Sequence, residues 1–155
     1  MTAEVIIDDT HVRAALTSLL DAALDPRPVL MAIGEILTAS SKERFLTTTD
    51  PAGNPWLLNS VLSTLLYKET ETPLTGDPPD GGDLGRYIHY NILGNSGVEI
   101  VSTMQYAAMQ QFGGTKAEFP NLWGDIPARP FLGMSNDDEE EILEEIHNYL
   151  LHAIS

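Results

Sequence analysis

Four histidines, His11, His89, His147 and His152, are the side chains in this 155-residue chain best suited to proton transfer or metal binding near neutral pH. They are scattered, and the last two stand five apart, so they do not share a helix face as paired zinc ligands at four-residue spacing do. Asp77, Asp80 and Asp83 recur in a glycine- and proline-rich segment, but their spacing departs from that of a calcium loop. The 23 acidic residues offer no pair that sequence alone singles out for acid–base work. No cysteine is present, which removes thiol nucleophiles, disulfides and thiolate metal sites. No glycine-flanked nucleophilic serine appears, and Gly113-Gly114 followed by Lys116 is too short to be a phosphate-cradling loop. The pattern points to neither a cofactor nor a metal and singles out no catalytic residue.

The residues hardest to exchange lie instead between Tyr106 and Gly133. Tyr106-Ala107-Ala108-Met109-Gln110-Gln111-Phe112 is a run of helix-compatible residues stopped by Gly113-Gly114, and glycine takes positive φ without strain. Further on, Ile126-Pro127-Ala128-Arg129-Pro130-Phe131-Leu132-Gly133 has two prolines that fix φ and keep Arg129 extended. Two readings stand side by side. In one, the stretch is a turn plus core packing, with Arg129 paired to one of the many acids. In the other, Arg129 and its rigid flanks form a low-entropy contact surface for another subunit. Tyr106, Phe112 and Phe131 are expected in the core, the glycines to serve backbone geometry, and Pro127, Ala128, Arg129, Pro130 and Leu132 to meet a neighbour.

The elements around this stretch follow from periodicity. Val5-Ile6-Ile7 reads as a short strand, with Asp9 or Thr10 capping the helix that follows. Val12, Ala15, Leu16, Leu19, Leu20 and Ala23 form the apolar face of that helix. Asp25-Pro26-Arg27-Pro28 breaks it and starts a second helix, striped by Val29, Ile33, Ile36, Leu37 and Ser40 and running to Arg44-Phe45. A turn cluster, Asp50-Pro51-Ala52-Gly53-Asn54-Pro55, precedes Trp56, which is expected to pin the loop onto the core. Leu57 to Lys68 reads as a short helix. Residues 69–83 hold little to bury and read as a mobile loop. Tyr87–Leu93 and Val98–Ser102 alternate around Gly94-Asn95-Ser96-Gly97, a hairpin signal. Ser135 with Asp138 resembles a capping box, the acids from Asp137 to Glu141 suit a solvated helix start, and Ile142, Leu143, Ile146, Tyr149, Leu150 and Ala153 supply the buried face of a long last helix.

Length and charge bound the rest. A chain of this size is expected to form one domain across residues 1–155. A net charge of −15 works against binding nucleic acid through its phosphates and against anionic membrane surfaces. The N-terminal residues lack the basic start and apolar run of a secretory signal, and no run of 18 apolar residues occurs, so a soluble, cytoplasmically made protein is expected.

Tyr106-Ala107-Ala108 leading to Gln111-Phe112-Gly113-Gly114, then the segment Ile126 to Gly133, then Ser135 with its acidic helix start, resemble in order the Mu-type phage virion morphogenesis proteins, also described as tail-completion or head-tail joining proteins. Arg44-Phe45 before the turn cluster and Trp56, and Asp83-Leu84-Gly85-Arg86 before the hairpin, extend the likeness. Gln110 stands where the family usually has histidine, and Leu57 to Lys68 follows the family pattern loosely. The resemblance implies an α+β fold, with helices packed on a small curved antiparallel sheet and a long C-terminal helix. It also implies a structural, non-enzymatic protein of the virion, at the tail or head-tail junction. Its implied partners are other phage tail or neck proteins and further copies of itself in a ring, formed freely or only on the assembled tail. Two rivals remain at this level: a small phage hydrolase using an unassigned carboxylate pair, and a monomeric adaptor for a host protein.

Overall fold

The computed structural model describes residues 10–61, 64–65, 73–74 and 82–154. The strand expected at Val5–Ile7 and most of the loop expected at 69–83 lie outside the described residues. Of the helix expected over 57–68, residues 57–60 are not helical, 61 and 64–65 are, and 62–63 and 66–68 lie outside the described residues.

The architecture is α+β: the elements with bounds among the described residues are five helices and one two-stranded antiparallel sheet. Helix α1 spans Thr10–Leu24 and α2 spans Arg27–Thr47. Pro28 lies in the first turn of α2, where its missing N–H costs no helical bond, and Thr48 ends the helix in the left-handed region with φ 55°. The turn cluster then folds on itself. Asp50 Oδ1 accepts the Ala52 and Asn54 N–H groups at 2.9 and 2.8 Å, and a bridge between Thr49 and Pro55 closes the loop. Trp56 follows and is buried, as its size and position predict.

After the short helix α3, Gly82–Arg86, strands β1, Ile88–Leu93, and β2, Gly97–Ser102, pair from Ile88↔Ser102 to Leu93↔Gly97 without a break in register. Gly94 takes φ 60° in the connecting turn. The long helix α2 packs across both strands. Helix and sheet come close at Gly34, where a Cβ would lie 2.4 Å from Tyr90 Cδ2. A glycine here lets the helix backbone sit directly on the ring.

Helix α4, Ala107–Phe112, ends as the glycines predict: Gly113 takes φ 71° and donates its N–H to the Met109 carbonyl. The last helix, α5, spans Asn136–Ala153. Ser135 accepts the Asp138 N–H and Asp138 accepts the Ser135 N–H, so the capping box is complete. Helix α5 packs on α1 and α2, and Tyr149 donates its hydroxyl to the Ala22 and Asp25 carbonyls at 3.3 and 2.5 Å, tying down the exit of α1.

The core gathers Phe45, Trp56, Leu84, Ile88, Ala107 and Phe131, with Ile100, Met104 and Leu132 against it. Phe45 is the hub: its ring lies 5.5 Å from that of Trp56, edge-on, and 5.4 Å from that of Phe131. Three sequence-distant segments thus meet at one side chain of α2. Helix α1 is a helix as predicted, yet its apolar face is only partly used, since Val12, Leu16 and Leu20 are exposed. Leu143 of α5, expected inside, is exposed as well.

Candidate assembly surface

The segment from Ile126 to Gly133 crosses the core as an extended strap, and side chains from elsewhere in the chain hold its carbonyl groups. Trp56 Nε1 donates to Pro130 O at 3.0 Å, Arg44 Nη1 to Phe131 O at 2.9 Å, Gln111 Nε2 to Leu132 O at 2.9 Å, and Arg44 Nη1 to Gly133 O at 2.9 Å. Gln111 also accepts the Phe131 and Leu132 N–H groups through Oε1, both at 3.0 Å. Gln111 therefore works as one residue of a neighbouring strand would, with its side-chain amide in place of a main chain. At the other end, Gly114 and Ile126 exchange two backbone bonds at 2.9 and 2.8 Å. A Cβ on Gly113 would lie 2.7 Å from the Ala128 nitrogen, so strap and helix end are in backbone contact.

Arg44 is the cation behind this arrangement. It is buried on α2 and pairs through Nη2 with Asp138 Oδ2 at 2.8 Å. Burial pushes the Asp138 carboxyl upward, but the Ser135 N–H, the Ser40 and Ser135 hydroxyls and the Arg44 charge together outweigh it and hold it below the usual carboxylate value. Burial likewise lowers Arg44, opposed by Asp138, and a guanidinium keeps its proton regardless. One ion pair thus links the end of α2, the strap and the first turn of α5. The acids from Asp137 to Glu141 are not a uniformly solvated helix start: Asp138 is 4% exposed, because it serves the cap and the ion pair at once. Around this pair an open cleft of about 740 Å³ is walled by Glu43, Asp50, Asp137 and Glu141.

Arg129 does not lie on the surface. It is 7% exposed, its N–H donates to Gln110 O at 2.7 Å, and its Nε donates to Leu57 O at 3.0 Å. Longer bonds run from its guanidinium to Leu58 O, Asn59 Oδ1 and Gln110 Oε1. The reason is the strap's extended geometry. Side chains two apart share a face, so Arg129 points inward with Phe131 while Ala128 is exposed. Of the other residues expected at an interface, Pro127, Pro130 and Leu132 are half-buried. Tyr106 and Phe112, expected in the core, are exposed, Phe112 at 77%. Ala107 and Gln111 stand four apart and share the inward face of α4, and Phe112 falls about 100° further round.

What the strap presents to solvent therefore comes from its neighbours. Leu57 and Leu58 are 66% and 63% exposed although Arg129 holds their carbonyls. Beyond Gly114 the loop to Ile126 is closed at its neck by the Gly114–Ile126 bridge and by Lys116 N–H to Asp125 Oδ1 at 2.7 Å. Thr115 caps its first turn through Glu118, whose carboxyl those hydrogen bonds lower. Trp123, two residues before Asp125, is 95% exposed.

The histidines are not brought together, and among the described residues no three histidine, aspartate or glutamate side chains gather as a metal site would need. No described helix is long and apolar enough to cross a membrane. Fold and site together define an α+β protein with an internally braced strap and a rim of exposed apolar side chains, the type of surface that joins proteins to one another. The match to the family model of the phage virion morphogenesis family covers residues 7–151, and the chain belongs to that family. It is similar to a putative capsid assembly protein G of Escherichia phage Mu, 30% identical over 97% of this chain and 95% of that protein. It is also similar to the Mu-like prophage FluMu G protein 2 of Haemophilus influenzae, 45% identical over 36% of this chain and 39% of that protein. No solved structure matches. The role is therefore a structural one in phage morphogenesis.

Proposed function

We propose that this protein completes the tail or joins it to the head as a non-catalytic subunit of a ring, and that the apolar rim beside the strap is where a neighbouring virion protein docks. The observation that carries this reading is the pairing of rigid support with exposed apolar groups. Arg129 fixes the main chain of Leu57 and Leu58 while their side chains stay in solvent, and Phe112 and Trp123 stand exposed on backbone that the strap braces. Preorganised apolar groups lose little entropy on binding, so such a rim favours association. The strap residues Pro127 to Leu132 act from beneath, as the support of the contact more than its face. The acidic character of the chain suits a subunit beside a DNA channel, since like charge keeps a passing duplex from sticking.

The test uses particles assembled without this protein. Phe112→Ser and Trp123→Ala are exposed substitutions, expected to leave the melting temperature within about 2 °C because surface changes rarely exceed about 0.5 kcal/mol. Each is expected to reduce the yield of joined, infectious particles when added back. Full restoration by the doubly substituted protein would remove the rim from the docking surface, and strong binding of the wild-type chain to duplex DNA at physiological salt would remove the channel role.

A further inference from the structure

Among the described residues, the hairpin has two open edges. In an antiparallel pair, alternate residues of each strand turn their N–H and C=O groups away from the partner strand. Here no other described residue receives them: the hydrogen bonds involving residues 88–102 are the ladder itself, the turn bonds from Ser96 to Leu93, and the Asn91–Glu99 side-chain pair. Among the described residues, neither edge carries a basic residue, a proline, a bulge or a covering segment of the kind that usually blocks further pairing. The strands Ile-His-Tyr-Asn-Ile-Leu and Gly-Val-Glu-Ile-Val-Ser contain no lysine, arginine or proline, and their one-to-one register leaves no bulge. Helix α2 covers one face and locks the hairpin in place, so the edges are held ready.

We propose that these edges pair with each other between copies of this chain, the outer edge of β2 in one copy against the outer edge of β1 in the next, giving one antiparallel sheet shared by the assembly. This rests on the reading of the chain as an assembly subunit and adds the surface that joins two copies. A foreign strand would fill one edge and leave the other open. A second copy related by rotation fills both with a single type of contact, and its β1 then runs antiparallel to the first copy's β2, as the hairpin itself does. Charge permits it at this place. Of the 23 acids in a chain of net charge −15, the hairpin carries only Glu99, already engaged by Asn91.

The experiment combines sedimentation with amide hydrogen exchange over a concentration series of the intact protein. The mass is expected to rise above the 16.9 kDa of one chain, and amides in both β1 and β2 are expected to exchange at least about tenfold more slowly in the assembled form. A chain that stays monomeric to its solubility limit, or an oligomer whose strand amides do not slow, overturns the proposal. Because the chain has no cysteine, His89→Cys and Val101→Cys proteins can be mixed and joined with a short flexible bis-maleimide. Mixed dimers are expected to outnumber like-with-like dimers, and the reverse overturns the head-to-tail pairing. Tail docking by a protein whose strand amides never respond would defeat this sheet and leave the proposed function standing. A protein that forms the sheet but never restores particles would do the opposite.

Discussion

Arg44 and Asp138 show how much of this molecule depends on two side chains. The pair is buried, and its remaining hydrogen-bonding capacity goes to the strap carbonyls, Ser40 and the Ser135 N–H. Truncating one partner leaves the other charge uncompensated, so Asp138→Ala is expected to cost about 3–5 kcal/mol in urea unfolding, and Arg44→Met a similar amount. The pH dependence has a definite sign. Asp138 sits below its usual value when folded, so its contribution is complete above the unfolded value of 3.8 and is lost as pH falls through the lower folded value. Asp138→Asn is expected to flatten the stability–pH curve in that acid window, and an unchanged slope there would show that other carboxyls set it.

Arg129 has become a residue of a different kind from the one its setting between prolines suggests. It organises Leu57 and Leu58 from below. Arg129→Ala is expected to lower stability by about 2 kcal/mol, since hydrogen bonds from a charged donor are lost. Faster amide exchange across residues 57–61 should accompany that loss. A variant of wild-type stability with assembly alone impaired would return Arg129 to the contact face.

At the scale of elements, α2 is the scaffold on which strap, hairpin and last helix are all laid. Its contact with the sheet admits no side chain at Gly34, where the Tyr90 ring occupies the space. Gly34→Ala is therefore expected to be destabilising despite alanine's better helix propensity, by about 1–3 kcal/mol as for other overpacked sites. Thermal unfolding of Gly34→Ala measures it, and a stabilised variant would mean that α2 rides further from the hairpin in solution. The capping box shows the opposite relation between sequence and element. Ser135 and Asp138 are local to each other, and the sequence alone predicts their reciprocal bonds, which the fold then uses a second time through Arg44.

At the scale of the whole molecule, the chain spends its apolar residues unevenly. The aromatic centre around Phe45 is tightly buried, while leucines on α1, Leu57, Leu58, Phe112 and Trp123 are left exposed. A chain whose charge opposes close approach of its own copies, yet which exposes this much apolar surface, is suited to assembly at specific places more than to general association. Salt is expected to promote assembly: screening weakens repulsion between acidic copies, so a rise in the association constant with ionic strength, followed by sedimentation, is the predicted trend.

What the sequence determined on its own is what short-range physics controls. Helical periodicity marked α1, α2 and α5, alternation about Gly94 marked the hairpin, Gly113 ended α4, and Ser135 with Asp138 began α5. The motifs shared with the phage virion morphogenesis family pointed to the same fold. Tertiary structure alone decided which side of a short element faces inward. Phe112 is apolar but falls on the outward side of a six-residue helix, and Arg129 is charged but alternates in phase with Phe131 and so goes inside. The role of Arg44 was equally out of reach, because its partners lie 87 to 94 residues away and meet it only when strap and last helix close over α2. Composition assigns polar residues outside and apolar ones inside, and here the strap's hydrogen-bonding demand outweighs that rule: its buried carbonyls need donors, and the two arginines that supply them or brace beside them are drawn into the core.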